Sequence, residues 1–164
     1  MEPGLGIDFG GVIASAAVGG TGHPRTRPPI AVPPMDGAFD ALRELRRAFG
    51  GRVWIVSKAS HDTELWTRQW LRTHRFAEAT GIVARDVHFV RDRAVKRAKC
   101  RDLGITHFVD DRRENLEMLR GEVPHLFLFG GVSDDPGIQA VVGWADARRL
   151  LRESAEKEGG APPN

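Results

Sequence analysis

The sequence predicts an α/β protein, a single domain built as a doubly wound parallel sheet of about five strands with helices on both faces. Three observations carry this. Short apolar runs alternate along the chain with segments of helical period. Four strand ends lead to polar chemistry, at Asp8, at Ser57, in the segment leading to Lys96, and at Asp110-Asp111. The length of 164 residues, with 41% hydrophobic and 28% charged residues, suits one globular domain with a proper core.

Leu5-Gly6-Ile7 delivers Asp8, and Gly10-Gly11 follow at once. The run is short enough for a buried strand, and the glycines end it with backbone angles closed to other residues. Asp8 then lies at the carboxyl end of a strand, where open α/β sheets place their ligands. On this segment alone it serves equally well as a turn cap.

Residues 15–35 carry Gly19, Gly20, Gly22 and five prolines from Pro24 to Pro34. That density prevents helix interior and central strand, so the segment reads as an extended loop or flap. Asp36 is read as the N-cap of a helix whose Ala38, Leu42, Leu45 and Phe49 form one apolar face. Gly50-Gly51 closes it. Val53 to Val56 forms a second buried strand, which delivers Ser57 and Lys58. A helix over 62–74 sets Trp66 and Trp70 one turn apart as core residues.

Gly81 breaks the chain, and 87–90 reads as a third strand. A basic helix follows over 93–103, closed by Gly104. The short strand 107–109 runs straight into Asp110-Asp111. A helix near 113–120 and a strand at 125–129 continue the alternation. The last helix, 143–156, buries Trp144, Ala147 and Leu151. The domain therefore spans 1–156, and 157–164 reads as a frayed polar tail.

The formal net charge of +2 argues for no particular partner. Locally, Arg85, Arg91, Arg93, Lys96, Arg97, Lys99 and Arg101 stand against only Asp86 and Asp92. Such a run is a solvated helix face before it is a nucleic-acid surface. Attraction of a phosphorylated substrate is a third reading. No apolar run has the length of a membrane span, and the N-terminus lacks the pattern of a secretion signal. Cys100 is the only cysteine, which excludes an internal disulfide and a Cys-rich metal site. The expected setting is a reducing cytoplasm, away from membranes.

In a parallel sheet the carboxyl ends of the strands share one edge, so Asp8, Ser57, Lys96, Asp110 and Asp111 can converge. Carboxylates gathered there repel one another unless a cation joins them. Their oxygens suit Mg²⁺ better than zinc, and a hydroxyl with an ammonium beside them can hold a phosphate. Together these groups describe phosphoryl chemistry. Lys96 has its own argument, since it shares an apolar helix stripe with Cys100 and Leu103. Lys99 is the second choice and Lys58 the third.

The order of these residues resembles that of the haloacid dehalogenase-like superfamily. Its members carry an Asp after strand one, Ser or Thr after strand two, a Lys, and an acidic pair after strand four. Here these are Ile-Asp8-Phe-Gly-Gly-Val-Ile, Trp-Ile-Val-Ser57-Lys, Lys96, and His-Phe-Val-Asp110-Asp111-Arg, over roughly residues 5–130. The resemblance implies a Rossmann-like fold and a Mg²⁺-dependent phosphatase-type hydrolase. Asp8 would be the nucleophile that forms an aspartyl-phosphate. Asp8, Asp110 and the carbonyl of Gly10 would hold the metal, with Asp111 supporting it. Phe9, Gly10, Ser57, Lys58 and Lys96 would bind the phosphate. A phosphorylated small molecule is the implied substrate.

The chain departs from this pattern in two places. Family phosphatases carry a second Asp two positions after the nucleophile as general acid and base, and here that position is Gly10. Losing such proton transfer costs ~10²–10⁴-fold in rate, least for good leaving groups such as acyl phosphates. His23 or His61 could substitute, or both are surface histidines. The stretch from Asp8 to Val53 is also too short for a separate cap domain, leaving the flap 15–35 to cover the site. Two readings follow: a minimal-cap hydrolase, and a catalytically weak or inactive module that binds a phosphorylated ligand or partner.

Overall fold

A computed structural model of the chain describes residues 1–15 and 32–159. Its strands are β1 Leu5–Ile7, β2 Val53–Lys58, β3 Val87–Val90, β4 His107–Asp110, β5 His125–Phe129 and β6 Ile138–Val141. They form one sheet in the order β3-β2-β1-β4-β5-β6, and every adjacent pair is parallel. The helices are α1 Ala38–Ala48, α2 His61–Thr73, α3 Phe76–Thr80, α4 Arg93–Asp102, α5 Arg113–Leu119 and α6 Trp144–Gly159. The strand order reverses direction at β1, whose neighbours are β2 and β4. A crevice outside the strand ends at such a reversal is where doubly wound sheets bind ligands.

Strand alternation divides the core between the two faces. Leu5, Ile7, Val53, Ile55 and Val109 pack on one side with Leu42 and Leu45 of α1, Trp70 of α2 and Leu151 of α6. Val56, Phe108, Leu126 and Leu128 pack on the other with Cys100 of α4 and Leu116 and Leu119 of α5. The central strands are therefore apolar on both faces, as parallel sheets require.

Two tryptophans tie down the chain around Asp8. Trp144 Nε1 donates to the carbonyl of Val12 at 2.7 Å, and Trp70 Nε1 donates to that of Val32 at 2.7 Å. Trp70 also meets the Phe9 ring edge-on, with centroids 5.1 Å apart. The described ends of the proline-rich segment close on each other: Ala14 bridges Pro34, and Met35 N–H donates to the Ile13 carbonyl at 2.8 Å. Residues 16–31 of the expected flap 15–35 lie outside the described residues.

The predicted elements are present, with corrections. A sixth strand, β6, extends the sheet beyond the five expected, and the short helix α3 was not expected. Asp36 is not the N-cap of α1; Gly37 is, at φ 73°, with no side-chain cap. The chain enters α1 through left-handed backbone at Gly37, which glycine takes without strain. Trp66 is only half-buried, because α2 turns Trp70 and Thr67 inward instead. Helix α6 continues through the expected tail to Gly159, and residues 160–164 lie outside the described residues.

Candidate active site

The site begins with a missing side chain. A Cβ on Gly6 would stand 2.5 Å from Cδ2 of Phe108, so glycine in β1 makes room for that ring from β4. The ring in turn carries Lys96 Nζ, 4.7 Å from its centroid, in a cation–π contact. Lys96 comes from the first turn of α4, which Asp92 caps by accepting from Val95 N–H at 2.8 Å. Its ammonium donates to Asp110 Oδ2 at 2.9 Å and to Asp8 Oδ1 at 3.3 Å. At 2% exposed it is a buried cation, and the two carboxylates keep it charged.

Asp8 follows β1 directly, and its backbone N–H donates to the Val109 carbonyl at 2.9 Å, which sets it beside the end of β4. Asp110 is fully buried. Asn115 Nδ2 donates to both of its oxygens, at 3.2 and 3.1 Å, and Arg112 N–H donates to Oδ1 at 3.0 Å. Asp111 is half-buried against the loop after Asp8. Gly11 there has φ +77°, and a Cβ on it would run into the Asp111 carboxylate. Gly11→Ala is thus expected to push Asp111 aside and weaken divalent-ion binding by at least ~10-fold. Titration calorimetry with Mg²⁺ checks this; unchanged affinity would contradict it.

Carboxylate oxygens of Asp8, Asp110 and Asp111 lie within 4.8 Å of one another. Three carboxylates here face one ammonium. Burial pushes Asp8 up to about 7, Asp110 and Asp111 add to this, and Lys96 only partly offsets them. Burial and then Asp110 also raise Asp111. Burial alone would lower Lys96, yet Asp8 and Asp110 outweigh it and bring the ammonium up to about 12. An oxygen-only set with surplus negative charge fits a hard divalent cation such as Mg²⁺.

Above these acids opens a cavity of about 420 Å³. Asp8, Phe9, Gly10, Ser57, Lys58 and Asp111 all line it, so the structure brings these sequence-derived candidates together. Lys96 and Asp110 lie beneath, in contact with Asp8 rather than in the cavity wall. Lys99 sits half-exposed on α4 away from the acids, and His61 is exposed at the start of α2. His23 lies outside the described residues.

Sequence reasoning did not place Asn115 or Arg112 in the site, and it took in Arg91 and Arg93 only as part of the basic run. The last three line the cavity with Asn115. The readable signal for Asn115 was its place in the first turn of α5, close to the strand end that α5 follows. The basic run does not form one cationic face. Lys96 turns inward, Arg97 and Arg101 reach Glu122 at 3.6 and 3.8 Å, and Arg91 reaches Glu64 at 2.7 Å.

No family profile matches the sequence, and no curated protein matches it. Solved structures do. The chain is similar to a D,D-heptose 1,7-bisphosphate phosphatase from Burkholderia thailandensis, with 17% identity, TM-score 0.61, and 97% of this chain and 99% of that one covered. It is similar to a HAD-superfamily hydrolase from Ehrlichia chaffeensis, with 10% identity, TM-score 0.60, and 93% and 97% covered. A haloacid dehalogenase-like family hydrolase from Xanthomonas campestris gives 15% identity and TM-score 0.55 over 80% of this chain and 59% of its own. The chain has the Rossmann-like fold of the haloacid dehalogenase-like hydrolases. Among the described residues no helix is long and apolar enough to cross a membrane.

Proposed function

We propose that this chain is a Mg²⁺-dependent phosphatase-like hydrolase that acts through an aspartyl-phosphate on a phosphorylated small molecule. The supporting observation is the meeting of Asp8, Asp110 and Asp111 with Lys96 at the β1–β4 strand ends, below an open cavity. Asp8, Asp110 and the Gly10 carbonyl would hold the ion, with Asp111 supporting it. When bound, Mg²⁺ neutralises part of the charge shared by nucleophile and phosphate.

An Asp8 oxygen attacks phosphorus, the Asp8–phosphorus bond forms and the leaving-group oxygen departs; water later cleaves the acyl phosphate. Ser57 and the backbone N–H groups of Phe9 and Gly10 receive the phosphoryl oxygens, and Lys96 favours the ionised form of Asp8 against burial and steadies the charge. Position 10 offers no proton to the leaving group. Substrates whose leaving group departs as an anion, such as acyl and aryl phosphates, should therefore turn over fastest.

The cavity rim adds Lys58, Arg91, Arg93 and Arg112. Among the described residues the Lys58 side chain has no hydrogen-bond or ion-pair partner, and Arg112 is a guanidinium whose charge acts on Asp111. They favour a substrate with further negative charge beyond the phosphate that is removed.

The second reading, a module that binds a phosphorylated ligand without turnover, rests on Gly10. Assaying acetyl phosphate, p-nitrophenyl phosphate and sugar bisphosphates with Mg²⁺ separates the two. Hydrolysis that needs Mg²⁺ and is lost in Asp8→Asn supports the enzyme. Equal traces in both proteins, with phosphate binding intact, would leave the binding module.

A further inference from the structure

The end of β2 and the turn into α2 supply four successive residues of the cavity wall, Ser57, Lys58, Ala59 and Ser60. Ser57 is buried, and among the described residues no hydrogen bond holds its hydroxyl. Its place is therefore set by the backbone on either side of it. On one side the ladder to β3 fixes the chain, with Ser57 opposite Phe89 and Lys58 opposite Val90. On the other, Ser60 caps α2 by accepting from Thr63 N–H at 3.2 Å. Between these anchors stands Ala59, and both of its backbone groups are taken. Its N–H donates to the Val90 carbonyl at 3.0 Å, and its carbonyl accepts from Arg91 Nη1 at 2.7 Å.

Arg91 is itself held. Its Nη2 donates to Glu64 Oε2 at 2.7 Å, while Oε1 accepts from Arg68 Nε and Nη2 at 3.2 and 3.0 Å. Arg68 lies over the Phe89 ring, 4.8 Å from its centroid. Phe89 is the residue opposite Ser57 across the ladder. The contacts thus close a ring around the serine, through Phe89, Arg68, Glu64, Arg91 and Ala59. An exposed ion pair contributes little by itself. Arg91 differs because one planar guanidinium serves a carboxylate and a backbone carbonyl at once. It also lines the cavity, but both of its terminal nitrogens donate to the protein.

We propose that Arg91, seated on Glu64, is a positioning residue that fixes the Ala59 carbonyl and so holds the Ser57 hydroxyl where a phosphoryl group binds. This rests on the reading of Ser57 as a phosphate ligand. Misplacing a reacting or binding group by about 1 Å costs on the order of 10²-fold. A clamp two residues from the ligand therefore matters nearly as much as the ligand itself. What Arg91 supplies is the fork and not the charge. A lysine at this position would keep the charge but could not span Ala59 and Glu64 in the same way.

The test is inorganic phosphate binding to the full chain in Mg²⁺, read by titration calorimetry beside Mg²⁺ binding alone and p-nitrophenyl phosphate hydrolysis. Arg91→Gln should weaken phosphate at least ~10-fold. Mg²⁺ affinity should not change, since the acids stand at the ends of β1 and β4. Arg91→Lys should weaken phosphate similarly, and Glu64→Gln should act in the same direction. In a Ser57→Ala background, Arg91→Gln should add no more than ~3-fold. The Arg91 side chain is half-exposed, so its variants should fold, and melting curves check this. Phosphate bound with this pattern but without turnover would contradict the hydrolase reading and still support the clamp. Phosphate affinity unmoved in Arg91→Gln, kept in Arg91→Lys, or lowered equally with and without Ser57 would each overturn the proposal.

Discussion

Replacing Asp8 by Asn is expected to abolish Mg²⁺-dependent phosphate release and, in metal-free buffer at pH 8, to raise the melting temperature. The two effects share one cause. Asp8 is held at about 7 in the fold, mainly by burial, against an ordinary value of 3.8. A folded value above the unfolded one means the folded state binds more protons between about pH 4 and 7. Stability then falls as pH rises through that window and stays low above it. The gap corresponds to a few kcal/mol, or several degrees in a domain of this size. The amide carries no charge to penalise. The advantage of Asp8→Asn should be near zero at pH 4, grow up to about pH 7, and shrink when saturating Mg²⁺ stabilises wild type. Thermal melts at pH 4, 6 and 8, with and without Mg²⁺, check this; an amide variant less stable at pH 8 would contradict it.

The opposite sign is expected at Lys96. Lys96→Met keeps the stem against Phe108 but removes the ammonium from between Asp8 and Asp110. Breaking a buried pair from one side leaves carboxylates without compensation, typically at ~3–5 kcal/mol. Phosphate release should vanish as well, since nothing then offsets the charge shared by Asp8 and the phosphoryl group. The double variant Asp8→Asn/Lys96→Met should cost clearly less than the sum of the single effects, because the amide removes one of the stranded charges. Urea unfolding of all three variants reads this directly. Additive effects, or a stable Lys96→Met protein, would show that the ammonium is not bound to the acids as described.

Much of this site is legible in the sequence, for physical reasons. A short apolar run bounded by glycine suits a buried strand, and a parallel sheet puts every strand's carboxyl end on one edge. Asp8, Ser57 and Asp110-Asp111 therefore fall on a common edge by sequence alone. Lys96 was legible because a lysine on an apolar helix stripe must find a buried counter-charge. What supports these residues was not legible. Nothing in the local pattern says that Gly6 makes space for Phe108, or that Asn115 reaches back to both oxygens of Asp110. These contacts join elements that meet only in three dimensions. The edge strand β6 escaped for a different reason: Gln139 and Ala140 interrupt its apolar residues, and only Ile138 and Val141 are buried. Gly37 as a cap in place of Asp36 is a backbone choice, set by how α1 must turn onto the sheet.

The central claim is that Asp8 accepts a phosphoryl group while Asp110 helps hold a cation beside it. A crystal structure of the full chain grown with Mg²⁺ and beryllofluoride tests this most directly. The account predicts the fluoride complex bonded to an Asp8 oxygen, Lys96 in contact with it, and Mg²⁺ bound by Asp8, Asp110 and the Gly10 carbonyl. Beryllofluoride absent from Asp8, with Mg²⁺ bound elsewhere or not at all, would contradict it.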